Sequence, residues 1–264
     1  MVGTAFLTKN LWNMSESNKR NFIVHGSILA IAGILVRIIG MLYRIPVVNI
    51  IGSEGNGIYG AAFNIYNIML VLSSYGLPMA VSKLVSARFT KKRYKSAAKV
   101  LRCSLMVAVC TGGIAALLVF FGASFIENVI YGGGLPGLAI PLRILAPTIF
   151  LVAILGVIRG FFQGQSTMIP TAVSQILEQI VNAIVSIAAG YGMMKAFASS
   201  PDVAAYGAAG STLGTAMGAL TAVLFMGFLY AVYTPTFNRL KRKDRHTENQ
   251  STGQICKIII YTMI

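Results

Sequence analysis

The sequence predicts an all-α integral membrane protein, a six-helix transmembrane bundle, and three observations carry that expectation. Over 264 residues the chain is 56% hydrophobic and only 11% charged, with a mean hydropathy of +0.73, whereas an ordinary soluble domain is roughly 25% charged. Apolar runs of about 20 residues or more, long enough to cross a bilayer, recur along the chain. They lack the strict apolar–polar alternation of a barrel strand. Helices, which satisfy their own backbone groups in hydrocarbon, are the structure that remains.

The first run, from Ile23 to Ile51, follows an N-terminal segment, 1–22, assigned to the cytoplasm. It is too long for a secretory signal, carries charge and lacks a small-residue cleavage site, so it belongs to the mature protein. Within it, "GILVRIIGMLYRIP" holds Arg37 and Arg44, seven residues apart, about two turns or roughly 10 Å along one helix face. Gly26, Ala30, Gly33 and Gly40 share that face, and a stripe of small residues and arginines should meet protein or a water-filled cavity. Arg37 lies near mid-span, where a cation is expensive and by default marks a functional site. The bland reading is that it pairs with a carboxylate to lock two helices. Arg44 lies closer to the outer surface and is within snorkelling reach of it.

The second run, Ile58 to Leu84, has a weaker polar face from Asn64, Asn67 and Ser74, which interhelical hydrogen bonding explains as well as ligand contact does. The third runs from Leu101 to Ile126 and the fourth from Leu138 to Ile158, where Arg143 is placed to snorkel outward. Pro78 and Pro147 are candidate bend points. The fifth, Ile169 to Met194, places Ser174, Glu178, Asn182 and Ser186 at four-residue intervals with Gln175 and Gln179 beside them, one continuous polar face. Glu178 is the only acid inside any predicted span. It is a candidate counter-ion for Arg37 or Arg44, or a proton or cation coupling site, with Gln175, Gln179 and Asn182 in support. The sixth, Ala204 to Val232, carries Gly210, Gly214 and Gly218, a ridge suited to close helix packing. A basic linker, 233–254, follows the 23–232 bundle, and residues 255–264 read as the start of a seventh span cut short.

Charge gives the orientation. The 22 Lys and Arg fall almost wholly on one side of six alternating spans: Lys9, Lys19, Arg20, the cluster from Lys83 to Arg102, Arg159, and the cluster from Arg239 to Lys257. Lys195 alone falls opposite, and Arg37, Arg44 and Arg143 lie inside spans. The positive-inside rule puts the basic side in the cytoplasm. The net charge of +15 therefore needs no nucleic-acid partner, and attraction to anionic membrane lipids is its second role. Cys103, Cys110 and Cys256 have neither metal-ligand spacing nor a paired framework. No cofactor is expected. No nucleotide-binding loop of the G-x-x-x-x-G-K type is present, so an ion gradient, the membrane potential or another subunit must supply energy. The short outer loops, with Glu54, Glu127, Lys195 and Asp202 as their charges, hold no catalytic constellation for a membrane glycosyltransferase. No repeated selectivity ring supports a channel.

Two blocks, "GILVRIIGMLYRIPVVNIIGSEGNGIYGAAFNIYNIMLVLSSYGLPMAVSKLVSAR" and "RGFFQGQSTMIPTAVSQILEQIV", resemble the polysaccharide-transporter group typified by stage V sporulation protein B. That group shares the MOP superfamily with MurJ-type lipid II flippases and MATE multidrug exporters. The resemblance implies the N-terminal lobe of a two-lobe MOP/MATE-like transporter, facing a C-terminal lobe that this chain lacks. The implied function is a flippase that moves an undecaprenyl-diphosphate-linked sugar outward across the bacterial plasma membrane by alternating access. Arg37 matches the first of the paired arginines that line the cationic cavity of such flippases, and Arg44 matches the second with a one-residue shift. The arginines those flippases carry at the end of the second helix have no counterpart in "NIYNIMLVLSSYGLP". A MATE-like cation-coupled exporter, with Glu178 carrying the function, is the alternative.

Overall fold

A computed structural model describes residues 16–244 and 252–263. Most of the 1–22 segment, and residues 245–251 of the basic linker, lie outside the described residues. Seven helices follow in order: α1 (Glu16–Ser73), α2 (Leu77–Thr90), α3 (Tyr94–Phe125), α4 (Ala139–Gly164), α5 (Ile169–Ala196), α6 (Val203–Lys243) and α7 (Thr252–Met263), with a π-helical turn, Ile126–Ile130, after α3. Among the described residues no strand is present.

Among the described residues, five stretches are long and apolar enough to cross a membrane: Gly26–Thr90, Tyr94–Ile130, Ala139–Gly164, Ile169–Ala196 and Val203–Lys243. The first, at 65 residues, would measure roughly 100 Å if straight, far more than a bilayer, and it bends at Gly52. There φ is +70° with ψ −177°, a conformation open to glycine and strained for any residue with a Cβ. The bend divides α1 into two arms, so the predicted loop between the first two spans is a kink within one helix. The second arm breaks again at Ser73–Gly76. Pro78 then sits in the first turn of α2, where its missing N–H costs nothing, so it starts a helix and does not bend one. Pro147 lies inside α4. α6 runs unbroken to Lys243, past the predicted end of the last span at Val232.

Close packing follows small residues. A Cβ added at Gly210, Gly214 or Gly218 of α6 would strike the α5 backbone or side chains at Ala189, Ser186 and Glu178. A second ridge, Gly156, Gly160 and Gly164 of α4, lies against Pro78, Ser82 and Val85 of α2 in the same way. The outer surface is apolar: Met41, Leu72, Leu118, Phe121, Leu224 and Phe228 are all well exposed. That inverts the soluble pattern and matches a molecule whose solvent is hydrocarbon.

Capping occurs at both ends of the bundle. The Glu127 carboxylate accepts from the amides of Gly137 (3.0 Å) and Ala139 (2.7 Å) where α4 begins. Asp244, buried at the end of α6, accepts from the Lys95 amide at 2.8 Å in the first turn of α3. Carboxylates there satisfy orphan amides and oppose the positive end of the helix dipole. Phe89, Tyr94, Phe161, Phe162, Tyr233 and Phe237 make one ring cluster that joins α2, α3, α4 and α6 near that same end. α7 lies against the cluster's core through fully buried Ile255 and Ile259.

Candidate functional site

The first arm of α1 is held to the lobe along a narrow seam. Ala32, Val47 and Ile51 are buried, and the contacts between this arm and α5 include two at Gly40 and Tyr43. Gly40 brings its backbone close enough that a Cβ there would lie 3.1 Å from Gln179 Nε2, and Asn182 Nδ2 donates to the Tyr43 hydroxyl at 3.3 Å. The first and fifth predicted spans therefore do pack together. The contact runs through Gly40 and Tyr43, not through the arginines.

Arg37 and Arg44 lie on the exposed side of this arm, among Ile34, Ile38, Met41 and Ile45. Among the described residues Arg37 has no ion-pair or hydrogen-bond partner. The Arg44 guanidinium sits 5.8 Å from the centre of the Tyr59 ring, inside cation–π range. The proposed small-residue stripe is divided. Gly40 packs, but a Cβ at Gly26 or Gly33 would meet nothing within 4 Å. Asn64 and Asn67 of the second arm are likewise exposed.

Glu178 has a different partner from either one considered for it. Arg159 Nη2 donates to Glu178 Oε2 at 2.7 Å, and Arg159 Nε donates to Ser174 Oγ at 2.9 Å. Ser174 in turn donates to the Thr171 carbonyl at 2.8 Å. The two charged side chains are 14% and 26% exposed, so this ion pair is set between α4 and α5 within the lobe. The expectation that Arg159 belongs to a loop is corrected, since α4 continues helical to Gly164. The fourth span appeared to end at Ile158 because a charge follows. The available signal was the four-residue spacing of Gly156, Gly160 and Gly164, which keeps the segment on the helical period and against a neighbour.

The rest of the α5 polar face divides by contact. Asn182 is used in packing: its Oδ1 accepts from Ser186 Oγ (2.9 Å) and Thr215 Oγ1 (3.4 Å), in addition to the Tyr43 bond. The Ser186 hydroxyl has one proton to share between Asn182 Oδ1 and the Ser211 carbonyl, which lies 2.8 Å away. Gln179 fills the space beside Gly40. Gln175 makes no hydrogen bond among the described residues. Among those residues no group of three metal-ligating side chains occurs. Arg143 donates to Ser124 Oγ at 2.8 Å and is half of an exposed contact.

The arginines Arg159, Arg44 and Arg37 thus differ: Arg159 is neutralised inside by Glu178, Arg44 faces the Tyr59 ring on the apolar outer face, and Arg37 has no partner there among the described residues. A family model described as polysaccharide biosynthesis protein matches residues 23–253. The lipid II flippase MurJ of Bacillus subtilis is 34% identical over 176 residues, 64% of this chain and 32% of that protein. Stage V sporulation protein B of the same organism is 30% identical over 210 residues, 79% of this chain and 39% of that protein. A solved MOP superfamily transporter from Pyrococcus furiosus, described as having a binding pocket of reverse polarity, shares the fold. Its TM-score is 0.64 at 17% identity, over 90% of this chain and 51% of that one. The chain spans less than half the length of those two Bacillus proteins.

Proposed function

The chain belongs to the polysaccharide biosynthesis protein family, and from that membership and the arginine face of α1 we propose that it is the N-terminal lobe of a flippase for undecaprenyl-diphosphate-linked sugars. The cargo moves outward across the bacterial plasma membrane, by alternating access against a C-terminal lobe, with the basic end of the bundle in the cytoplasm. Relatives that are named as a lipid II flippase and a sporulation protein support the cargo class. The catalytic step of an enzyme is not required.

One observation carries the reading. Arg37 is exposed on an apolar helical arm inside a membrane-spanning stretch, and among the described residues it has no counter-charge. A cation at the centre of a bilayer costs about 2.5–3.5 kcal/mol even on the most lenient scale, so something outside the lobe must meet it. A diphosphate is suited to do so, because guanidinium forks match phosphate oxygens two at a time. Arg44, Asn64 and Asn67 are placed as further ligands for the headgroup. The exporter alternative needs Glu178 free to bind a proton or cation, and its carboxylate is held by Arg159 at 2.7 Å.

The test is complementation in cells depleted of their own lipid II flippase, with the full-length protein as wild type, Arg37→Ala or Arg44→Ala. Growth and outward lipid II exposure are scored at matched protein level. Rescue by wild type and loss with Arg37→Ala is the expected result. Equal rescue by Arg37→Ala would reduce that residue to packing, and failure of wild type would move the cargo to another lipid-linked glycan.

A further inference from the structure

The break in the second arm of α1 opens a cavity of about 230 Å³ between α1, α4 and α5. Its polar lining comes from Ser74 and Tyr75 at the break, Arg159 and Gln163 on α4, and Thr171 and Gln175 on α5. Leu70, Pro78, Val152 and Gly156 supply the apolar wall. No part of this cavity includes Arg37 or Arg44. From it we infer a second subsite on the same cargo, one that takes a single neutral sugar ring. The inference rests on the flippase reading for what the sugar is attached to, and on the cavity alone for what fits.

Charge excludes the simpler ligand. An anion would be drawn to Arg159, but Glu178 lies 2.7 Å from that guanidinium and already neutralises it, so a phosphate would bring unbalanced negative charge beside a carboxylate. A neutral ligand meets no such penalty. The Arg159 bonds use Nε and Nη2, and among the described residues Nη1 has no partner, which leaves it able to donate to a hydroxyl or carbonyl oxygen.

Hydrogen-bond supply points the same way. Gln175 carries two donors and an acceptor oxygen, lines the cavity within a membrane-spanning stretch and is unpaired among the described residues. Gln163 reaches only Thr171 Oγ1, at 3.5 Å, the outer limit of a hydrogen bond. Both amides are part-exposed at the cavity, so their donors and acceptors are open to a polar ligand. The ligand should therefore both donate and accept at several points around a compact frame with an apolar face for Pro78 and Val152. A pyranose with hydroxyl or N-acetyl substituents has that chemistry. Size agrees: a cavity of about 230 Å³ has room for a sugar ring.

The experiment is saturation-transfer NMR on the full-length protein in lipid nanodiscs, with empty nanodiscs as reference and two probes. Methyl N-acetyl-β-glucosaminide reports the cavity through its protons, and inorganic pyrophosphate reports the arginine face through the line broadening of its phosphorus resonance. Transfer to the glycoside is expected in wild type, undiminished by pyrophosphate, and binding should weaken about fivefold in Gln175→Leu or Gln163→Leu, the effect of one lost hydrogen bond. Leucine keeps the volume and suits the membrane, and a matched unfolding profile checks each variant. Absence of transfer in wild type overturns the subsite, as does displacement by pyrophosphate or indifference to both substitutions. Glycoside binding that depends on Gln175, with no pyrophosphate binding that depends on Arg37, would uphold the sugar cavity and sink the diphosphate reading.

Discussion

Separating Arg159 from Glu178 should cost more than an ordinary helix–helix hydrogen bond in a membrane, and a double-substitution cycle measures how much. Neutral interhelical bonds in bilayers average about 0.6 kcal/mol by such cycles, with a maximum near 1.7. The Arg159–Glu178 bond is charge-assisted and 2.7 Å long, and the same guanidinium holds Ser174 at 2.9 Å. A charged hydrogen bond contributes about 1.5–3 kcal/mol, and breaking a fully buried pair costs about 3–5. With the partners 14% and 26% exposed, the lower part of that range applies. Arg159→Met should destabilise by about 3 kcal/mol, because both bonds go and a carboxylate is left unpaired. Glu178→Gln should cost about 2, because an acceptor remains but the charge does not. The double variant should cost about 3, so the coupling is about 2 kcal/mol. Unfolding equilibria in bicelles, read by steric trapping, give all three values. A coupling under about 0.5 kcal/mol, or a larger one in the matching Arg37 and Glu178 cycle, would refute the pairing.

Three further outcomes follow from contacts at the helix packing surfaces and ends. Gly214→Ala places a Cβ against Ser186 Oγ and 2.5 Å from the Asn182 carbonyl, so α5 and α6 must separate. A loss of about 2–3 kcal/mol is expected in the same unfolding assay, whereas Gly57→Ala, with nothing within 4 Å, should change stability by less than about 1 kcal/mol and favourably. Asp244→Ala removes the acceptor for the Lys95 amide and should speed hydrogen exchange across the first turn of α3, matching a loss of about 1–2 kcal/mol; Asp244→Asn should lose less. Glu127→Ala should free the amides of Gly137 and Ala139 together and raise exchange at the start of α4 while leaving α2 untouched. Exchange unchanged at those amides would show that water satisfies them as well as the carboxylate does.

The bundle was legible in the sequence because hydrocarbon imposes one rule on every spanning segment, and long apolar runs report it directly. What the runs could not show was how they are joined. Gly52 lies between two apolar runs exactly as a loop glycine would, and only its positive φ distinguishes a kink from a loop. The break at Ser73–Gly76 is similarly hidden inside a continuous run. Arg159 was misplaced for a related reason. A charge after Ile158 reads as the end of a span when its neighbours in sequence are considered, but its compensation comes from Glu178 on another helix, and no local pattern records that. Tyr43, which ties α1 to α5, was passed over because one hydroxyl in an apolar helix has no periodic signature. The polar face of α5 was visible as a face, but its division into packing groups, Asn182 and Ser186, and a cavity-lining group, Gln175, depends on neighbours from three helices.

The contrast among the three arginines orders the lobe. Arg159 has an acid within hydrogen-bond distance and a serine behind it, so its charge is settled inside the bundle. Arg44 is settled in part, since the Tyr59 ring face lies 5.8 Å away and a cation–π contact contributes about 0.5–2 kcal/mol depending on how dry it is. Arg37 has neither kind of relief among the described residues. The seam that holds its helix runs through Gly40 to Gln179 and Tyr43 to Asn182 and leaves Arg37 on the exposed side of the arm, while Glu178 pairs with Arg159. With Glu178 bonded to Arg159, Arg37 has no counter-charge among the described residues. On the proposed flippase reading, that uncompensated charge is where a phosphate-bearing cargo would contribute binding energy.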